Sequence, residues 1–102
     1  MSLFIAINRF RIVPGREDEF VEIWRQRDSH LAQVPGFQSF HLLRGETTAE
    51  HTRFASHTVW ASRAHFEDWT RSEAFRAAHA GAGQKRDLYL GPPQLELLDA
   101  VL

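Results

Sequence analysis

No cysteine occurs in the 102 residues, which rules out disulfides, thiolate metal sites and cysteine nucleophiles together. No apolar run approaches the roughly 20 residues that a membrane-spanning helix needs. The N-terminus lacks the basic start and apolar core of a signal peptide, so the cytoplasm is the expected compartment. Neither sign of charge dominates: 12 basic and 13 acidic residues leave a net charge of -1, and no block of basic residues offers a field for nucleic acid or an anionic membrane. There is no glycine-rich phosphate loop of the kind that marks a nucleotide or flavin site, no serine in a nucleophile elbow, no internal repeat and no low-complexity linker.

Aromatic side chains, by contrast, are abundant. They make up 12% of the chain and include three tryptophans. The length suits one domain, residues 1–102, with a single modest core too small to enclose a bulky ligand alone. So heavy an aromatic load in so small a core points to a flat or large apolar ligand, or to a subunit interface.

Leu3 to Val13 reads as a strand, β-branched and aromatic, ending at Pro14-Gly15. Its alternation places Phe4, Ala6, Asn8, Phe10 and Ile12 on one face and Leu3, Ile5, Ile7, Arg9, Arg11 and Val13 on the other. Asn8 is the odd residue, since a carboxamide on an apolar face costs on the order of 1 to 3 kcal/mol without a hydrogen-bond partner. Either a backbone group satisfies it or it lines a cavity. Gly15 to about Gln33 predicts an amphipathic helix, with Phe20, Ile23, Trp24, Arg27 and Leu31 at helical spacing and Glu17, Asp18 and Glu19 in a first turn that suits acids. Phe37 to Arg44 and Arg53 to Ala61 read as the second and third strands, and Gln94 to Leu102 as the last, after a loop from Ala80 to Pro93.

Between the third and last strands lies Ser62 to His79. Ser62 and Ser72 are good N-caps, so the segment reads as two short helices joined at Thr70 to Ser72. Phe66 and Trp69 share a face of the first, Phe75 and His79 a face of the second, and Gly81 offers a residue that can end it. Strand, helix, two strands, helices, strand is an α+β order, the ferredoxin-like arrangement of a four-stranded antiparallel sheet with helices on one face. The uncovered face carries Ile5 and Ile7 and is expected to meet a second copy, as a homodimer of the α/β-barrel kind.

Pro35-Gly36-Phe37 opening the second strand, Thr58-Val59-Trp60 closing the third, and Ser62 followed by Ala64, Phe66 and Trp69 resemble the antibiotic biosynthesis monooxygenase (ABM) superfamily over nearly the whole chain. Within it, Asn8 on the first strand, Trp69 on the helix after the third, and His79 ten residues later resemble the Isd-type heme-degrading monooxygenases in type, order and spacing. That resemblance implies a ferredoxin-like dimer in which heme is both substrate and cofactor. It implies that His79 is the axial ligand of the heme iron. Neutral imidazole is a usual base for a five-coordinate heme. Asn8 is then placed to donate a hydrogen bond to oxygen near the iron, and Trp69 to press the macrocycle out of plane, with Phe66 and Phe75 completing the heme-binding set. An external electron donor, a reductase, is also implied. For the propionates the sequence offers Lys85 and Arg86, or Arg25 and Arg27.

Taken singly, these residues have plainer roles: His79 as a helix-end cation, Trp69 as core. Trp60 and Trp24 read as structural, and His30, His41, His51, His57 and His65 lack the paired spacing of a metal site. Three other functions share the sequence features. One is a cofactor-free monooxygenase of aromatic polyketides or quinols, another a non-catalytic heme-binding dimer, and the last a dimeric domain without a ligand.

Overall fold

The computed structural model describes residues 2–27, 31–73, 75–76 and 86–102, with the backbone alone at residue 86. Strand β1 runs Phe4–Ile12, followed by helix α1 at Glu17–Gln26, strands β2 at Phe37–Thr47 and β3 at Thr52–Trp60, helix α2 at Arg63–Thr70 and strand β4 at Gln94–Asp99. The sheet order is β2-β3-β1-β4 with every neighbouring pair antiparallel, the expected ferredoxin-like sheet. The alternation read from β1 holds: Phe4, Ala6, Phe10 and Ile12 are buried. Directly opposite them on β3 stand Trp60, Thr58, Phe54 and Thr52, all buried as well.

Helix α1 is shorter than its sequence pattern. The Arg27 amide bonds to the Trp24 carbonyl, closing a tight last turn, and Arg27 itself is extended at φ -73° and ψ 123°. Leu31 still reaches the core, from a separate 3-10 turn at Leu31–Gln33. Helical spacing of apolar residues reports only that they share a core; the backbone between them broke without losing that. Ser62 caps α2 as expected, its hydroxyl accepting from the His65 amide at 3.2 Å, and Ser72 accepts from the Phe75 amide at 3.2 Å. A second difference lies in the expected loop before β4. Its residues Arg86–Leu88 form a 3-10 turn that buries Leu88 completely, and Tyr89 bridges to Ile12. The Val13 amide bonds to the Leu88 carbonyl at 2.9 Å and the Leu90 amide to the Arg11 carbonyl at 2.8 Å.

The core divides into two clusters. One gathers Phe4, Ala6, Leu31, Trp60, Phe66 and Trp69; the other Phe10, Ile12, Phe20, Phe54 and Leu88. Asn8 is the residue of β1 between them on the same face. The other face of the sheet is uncovered, with Ile5 and Ile7 half-buried and Leu43 and Leu98 exposed.

Gly36 illustrates how closely α2 seats on the sheet. Its φ is 83°, and a Cβ there would lie 2.2 Å from Cγ and 2.4 Å from Cβ of His65. The His65 ring is itself held by Ser62 Oγ at 2.7 Å. Gly36→Ala is therefore expected to destabilise the fold by on the order of 3 kcal/mol, from the left-handed backbone and the overpacking together, as read by chemical denaturation.

The far end of the sheet carries a pH-sensitive contact. The buried Thr52 hydroxyl donates to Glu17 Oε2 at 2.7 Å, and Thr47 in turn donates to Thr52 at 3.1 Å. That bond, above all, holds the Glu17 carboxyl below its ordinary 4.5. A depressed carboxyl stabilises the fold above its unfolded value and loses the contribution as pH falls through the folded one. Thr52→Val is expected to flatten the decline in Tm below pH 4.5, measured by thermal melts from pH 6 to 3.

Candidate functional site

The sheet face under the helices should be sealed by apolar side chains; along β1 the pattern is interrupted once, at Asn8. Around that interruption lies a cavity of about 490 Å³, within the usual range for small-molecule sites. Asn8 and Ala6 of β1, with Ser56 and Thr58 of β3, contribute from the sheet; Trp24 and Arg27 come from the end of α1, and Phe66, Trp69 and Phe75 from α2 and the turn after it. Leu95, directly beside Asn8 on the edge strand β4, also lines the cavity and is 60% exposed, so the cavity opens there.

Four of the five residues singled out in the sequence thus line one cavity: Asn8, Phe66, Trp69 and Phe75. His79 lies outside the described residues, as does Lys85. The side chain of Arg86 is likewise not described. Asn8 Oδ1 is buried and has no hydrogen-bond partner among the described residues. A buried acceptor left so costs about 1 to 3 kcal/mol, which identifies Asn8 as a residue the fold alone does not need. Trp69 packs edge-on against Phe75 at 4.8 Å and tilted on Trp60 at 5.1 Å, so its indole is held rigidly where it meets the cavity. Trp60 is structural, as read from sequence: it is fully buried, and its Nε1 donates to Thr58 Oγ1 at 3.0 Å.

Trp24 packs against Phe10 and Phe20 of the core, as expected of a structural residue, and it also stands on the cavity wall, stacked on Phe40 at 5.7 Å and 16°, with its buried Nε1 lacking a partner among the described residues. Its helical spacing with Phe20 made it indistinguishable from a core residue, because a cavity wall and a core face follow the same period. Arg27 lies 4.2 Å over the Trp24 ring. Its guanidinium forms no ion pair with any described carboxylate, and burial pulls its pKa down. A half-buried cation with no counter-charge among the described residues, at a cavity wall, is suited to an anionic group on a ligand. Arg25, the other candidate on α1, is exposed and paired with Glu22.

The described histidines do not form a metal centre. His41 faces His57 across β2 and β3, His65 bonds to Ser62, and no group of three or more His, Asp or Glu that could hold a metal occurs among the described residues. No described helix is long and apolar enough to cross a membrane.

The cavity's makeup can be set beside known proteins. A heme-degrading monooxygenase of Bacillus thuringiensis (strain Al Hakam) is 26% identical over 88 residues, covering 86% of this chain and 81% of that protein. The structure of the heme-degrader MhuD from Mycobacterium tuberculosis, with two hemes bound in its active site, superposes with a TM-score of 0.72 at 29% identity, over 97% of this chain and 96% of that one. SnoaB, a cofactor-independent oxygenase from Streptomyces nogalater, superposes with a TM-score of 0.73 over 100% and 96% of the two chains; at 22% identity it speaks to the fold alone. The sequence profile of antibiotic biosynthesis monooxygenases matches residues 3–81. With that profile spanning β1 to β3, both helices and every residue lining the cavity except Leu95, this chain belongs to the antibiotic biosynthesis monooxygenase family, oxygenase-type proteins on a ferredoxin-like sheet.

Proposed function

We propose that the protein is a heme-degrading monooxygenase that opens the porphyrin ring with dioxygen and external electrons and releases the iron. The observation that carries this reading is Asn8 Oδ1, without a partner among the described residues, in a cavity walled by Trp69, Phe66, Phe75 and Trp24. The described residues fit heme in two ways. Flat aromatic walls suit a flat apolar body, and Arg27 at the same cavity suits a carboxylate such as a propionate. When bound, heme supplies both the metal that activates dioxygen and the ring that is oxidised.

His79 is the residue whose imidazole would hold the heme iron. It follows Phe75 by four residues, one helical turn in the sequence pattern, and Phe75 lines the cavity. Asn8 holds a hydrogen-bonding amide at the cavity floor and directs where oxygen chemistry occurs. Trp69, fixed by Trp60 and Phe75, presents a surface that can press on a planar ligand. Electrons come from a separate reductase in the cytoplasm.

The test is a titration of hemin into the ligand-free protein. A Soret band that saturates near one hemin per chain, then bleaches in air with ascorbate while chelatable iron appears, is the expected result. No Soret band would turn the assignment to a cofactor-free oxygenase, and a band that persists under reductant and air would turn it to a heme-binding dimer without catalysis.

The homodimer belongs to the same proposal. Every residue of β4 is exposed, and Leu95, Leu97, Leu98, Val101 and Leu102 leave apolar surface along that edge and the tail. Unpaired edges and apolar patches of this kind are covered in stable proteins. The chain is expected to run at twice its 11.8 kDa mass in light scattering, and Leu98→Asp to shift it toward the monomer.

A further inference from the structure

On the sheet face that the helices cover, Asn8 lies in a row that reads Leu42, Ser56, Asn8, Leu95 from β2 across to β4. Leu42 packs against the second core cluster, and Leu95 lines the cavity where it opens. The middle of that row is polar. Ser56 and Asn8 are directly opposite each other in the β1–β3 ladder, which sets their Cβ atoms roughly 5 Å apart, and both line the cavity. The rows on either side differ. Phe10 and Phe54 make up one, both buried and apolar. Ala6 and Thr58 make up the other, and there the hydroxyl is committed to the fold, donating to the Ala6 carbonyl at 3.3 Å and accepting from Trp60 Nε1 at 3.0 Å. Ser56 is half-buried, and its hydroxyl has no hydrogen-bond partner among the described residues.

A larger apolar side chain at position 56 would continue the floor between Leu42 and Asn8; serine leaves it both open and polar. With Asn8 Oδ1 buried, the carboxamide offers the cavity its NH2 side, which donates. The hydroxyl opposite can rotate to donate into the same space. Two neighbouring donors that no described residue uses suit a small electron-rich ligand with more than one lone pair, and most of all one that carries negative charge. We propose that Ser56 is a second hydrogen-bond donor of this site, placed beside Asn8 to hold the dioxygen, or a small anion in its stead, that heme chemistry brings into the cavity, a role that rests on the heme reading above. One donor fixes a point and two fix a direction, so the pair orients what Asn8 alone would only anchor.

The experiment loads the full chain with hemin and titrates sodium azide, a small anion that binds ferric heme, following the shift of the Soret band. Ser56→Ala is expected to bind azide about tenfold more weakly than the parent, as the loss of one hydrogen bond to a charged group does. Its hemin affinity and the melting temperature of the ligand-free protein should stay at the parent's values. Ser56→Thr, which keeps the hydroxyl on a side chain that strands favour, should recover most of the azide affinity. Azide held as tightly by Ser56→Ala as by the parent, no recovery in Ser56→Thr, or ligand-free Ser56→Ala protein that melts well below the parent would overturn the proposal, Ser56 being then a cavity wall or a structural residue. A parent chain that gives no Soret band with hemin would instead remove the heme reading and this role with it, so the two failures are told apart.

Discussion

Hemin added to His79→Ala is expected to bind at least about 100-fold more weakly than to the parent chain and without the Soret maximum of an imidazole-ligated iron. Removing residues that only orient a metal ligand costs about 10- to 100-fold, and the ligand itself should cost no less. Some affinity should remain, because the aromatic walls around Trp69, Phe66 and Phe75 still remove apolar ligand surface from water. Free imidazole in the buffer should restore the Soret band of the variant, a rescue that a purely structural loss would not show. Ligand-free His79→Ala melting at the parent temperature would complete the separation of ligation from folding. A variant that titrates hemin exactly like the parent would remove His79 from the site.

Asn8 should show opposite effects on stability and activity. Asn8→Ala is expected to keep hemin but to degrade it on the order of 100-fold more slowly, the scale seen when a preorganised hydrogen-bond donor is removed from an oxygen anion site. Single-turnover bleaching of the Soret band under ascorbate measures this without interference from product release. Asn8→Leu, which replaces the carboxamide by an apolar side chain of similar size, is expected to raise the stability of the ligand-free protein by about 1 to 3 kcal/mol, because Asn8 Oδ1 is buried without a partner among the described residues. Urea denaturation reads that change. A protein made less stable by Asn8→Leu would mean that the carboxamide serves the fold, and parent-rate heme breakdown in Asn8→Ala would remove its part in the chemistry.

These expectations differ in how far they were legible before any coordinates. Asn8 was conspicuous from alternation alone, because a strand with one buried face exposes any polar residue on it as an exception. Phe66 and Trp69 were visible as a pair three apart on a capped helix. Trp24 was not, since a cavity wall has the same helical period as a core. Arg27 was one of four candidate cations, and only its seat over the Trp24 ring, half-buried and without a described counter-charge, set it apart from the solvent-paired Arg25. Leu88 was invisible: three residues of 3-10 turn carry no periodic signal, and it is buried where its carbonyl accepts a hydrogen bond from the amide of Val13, 75 residues earlier in the chain.

The sequence by itself determined the order of elements, the face of β1 that is buried and the caps at Ser62 and Ser72, since alternation and capping hydroxyls act through residues near in the chain. The tertiary structure decided which of those residues surround empty space. A cavity exists only where side chains from β1, β3, α1 and α2 fail to meet, and that depends on where α1 stops at Gln26 and where Leu31 re-enters the core. Packing of that kind is a property of several segments at once, so it leaves no mark on any one of them.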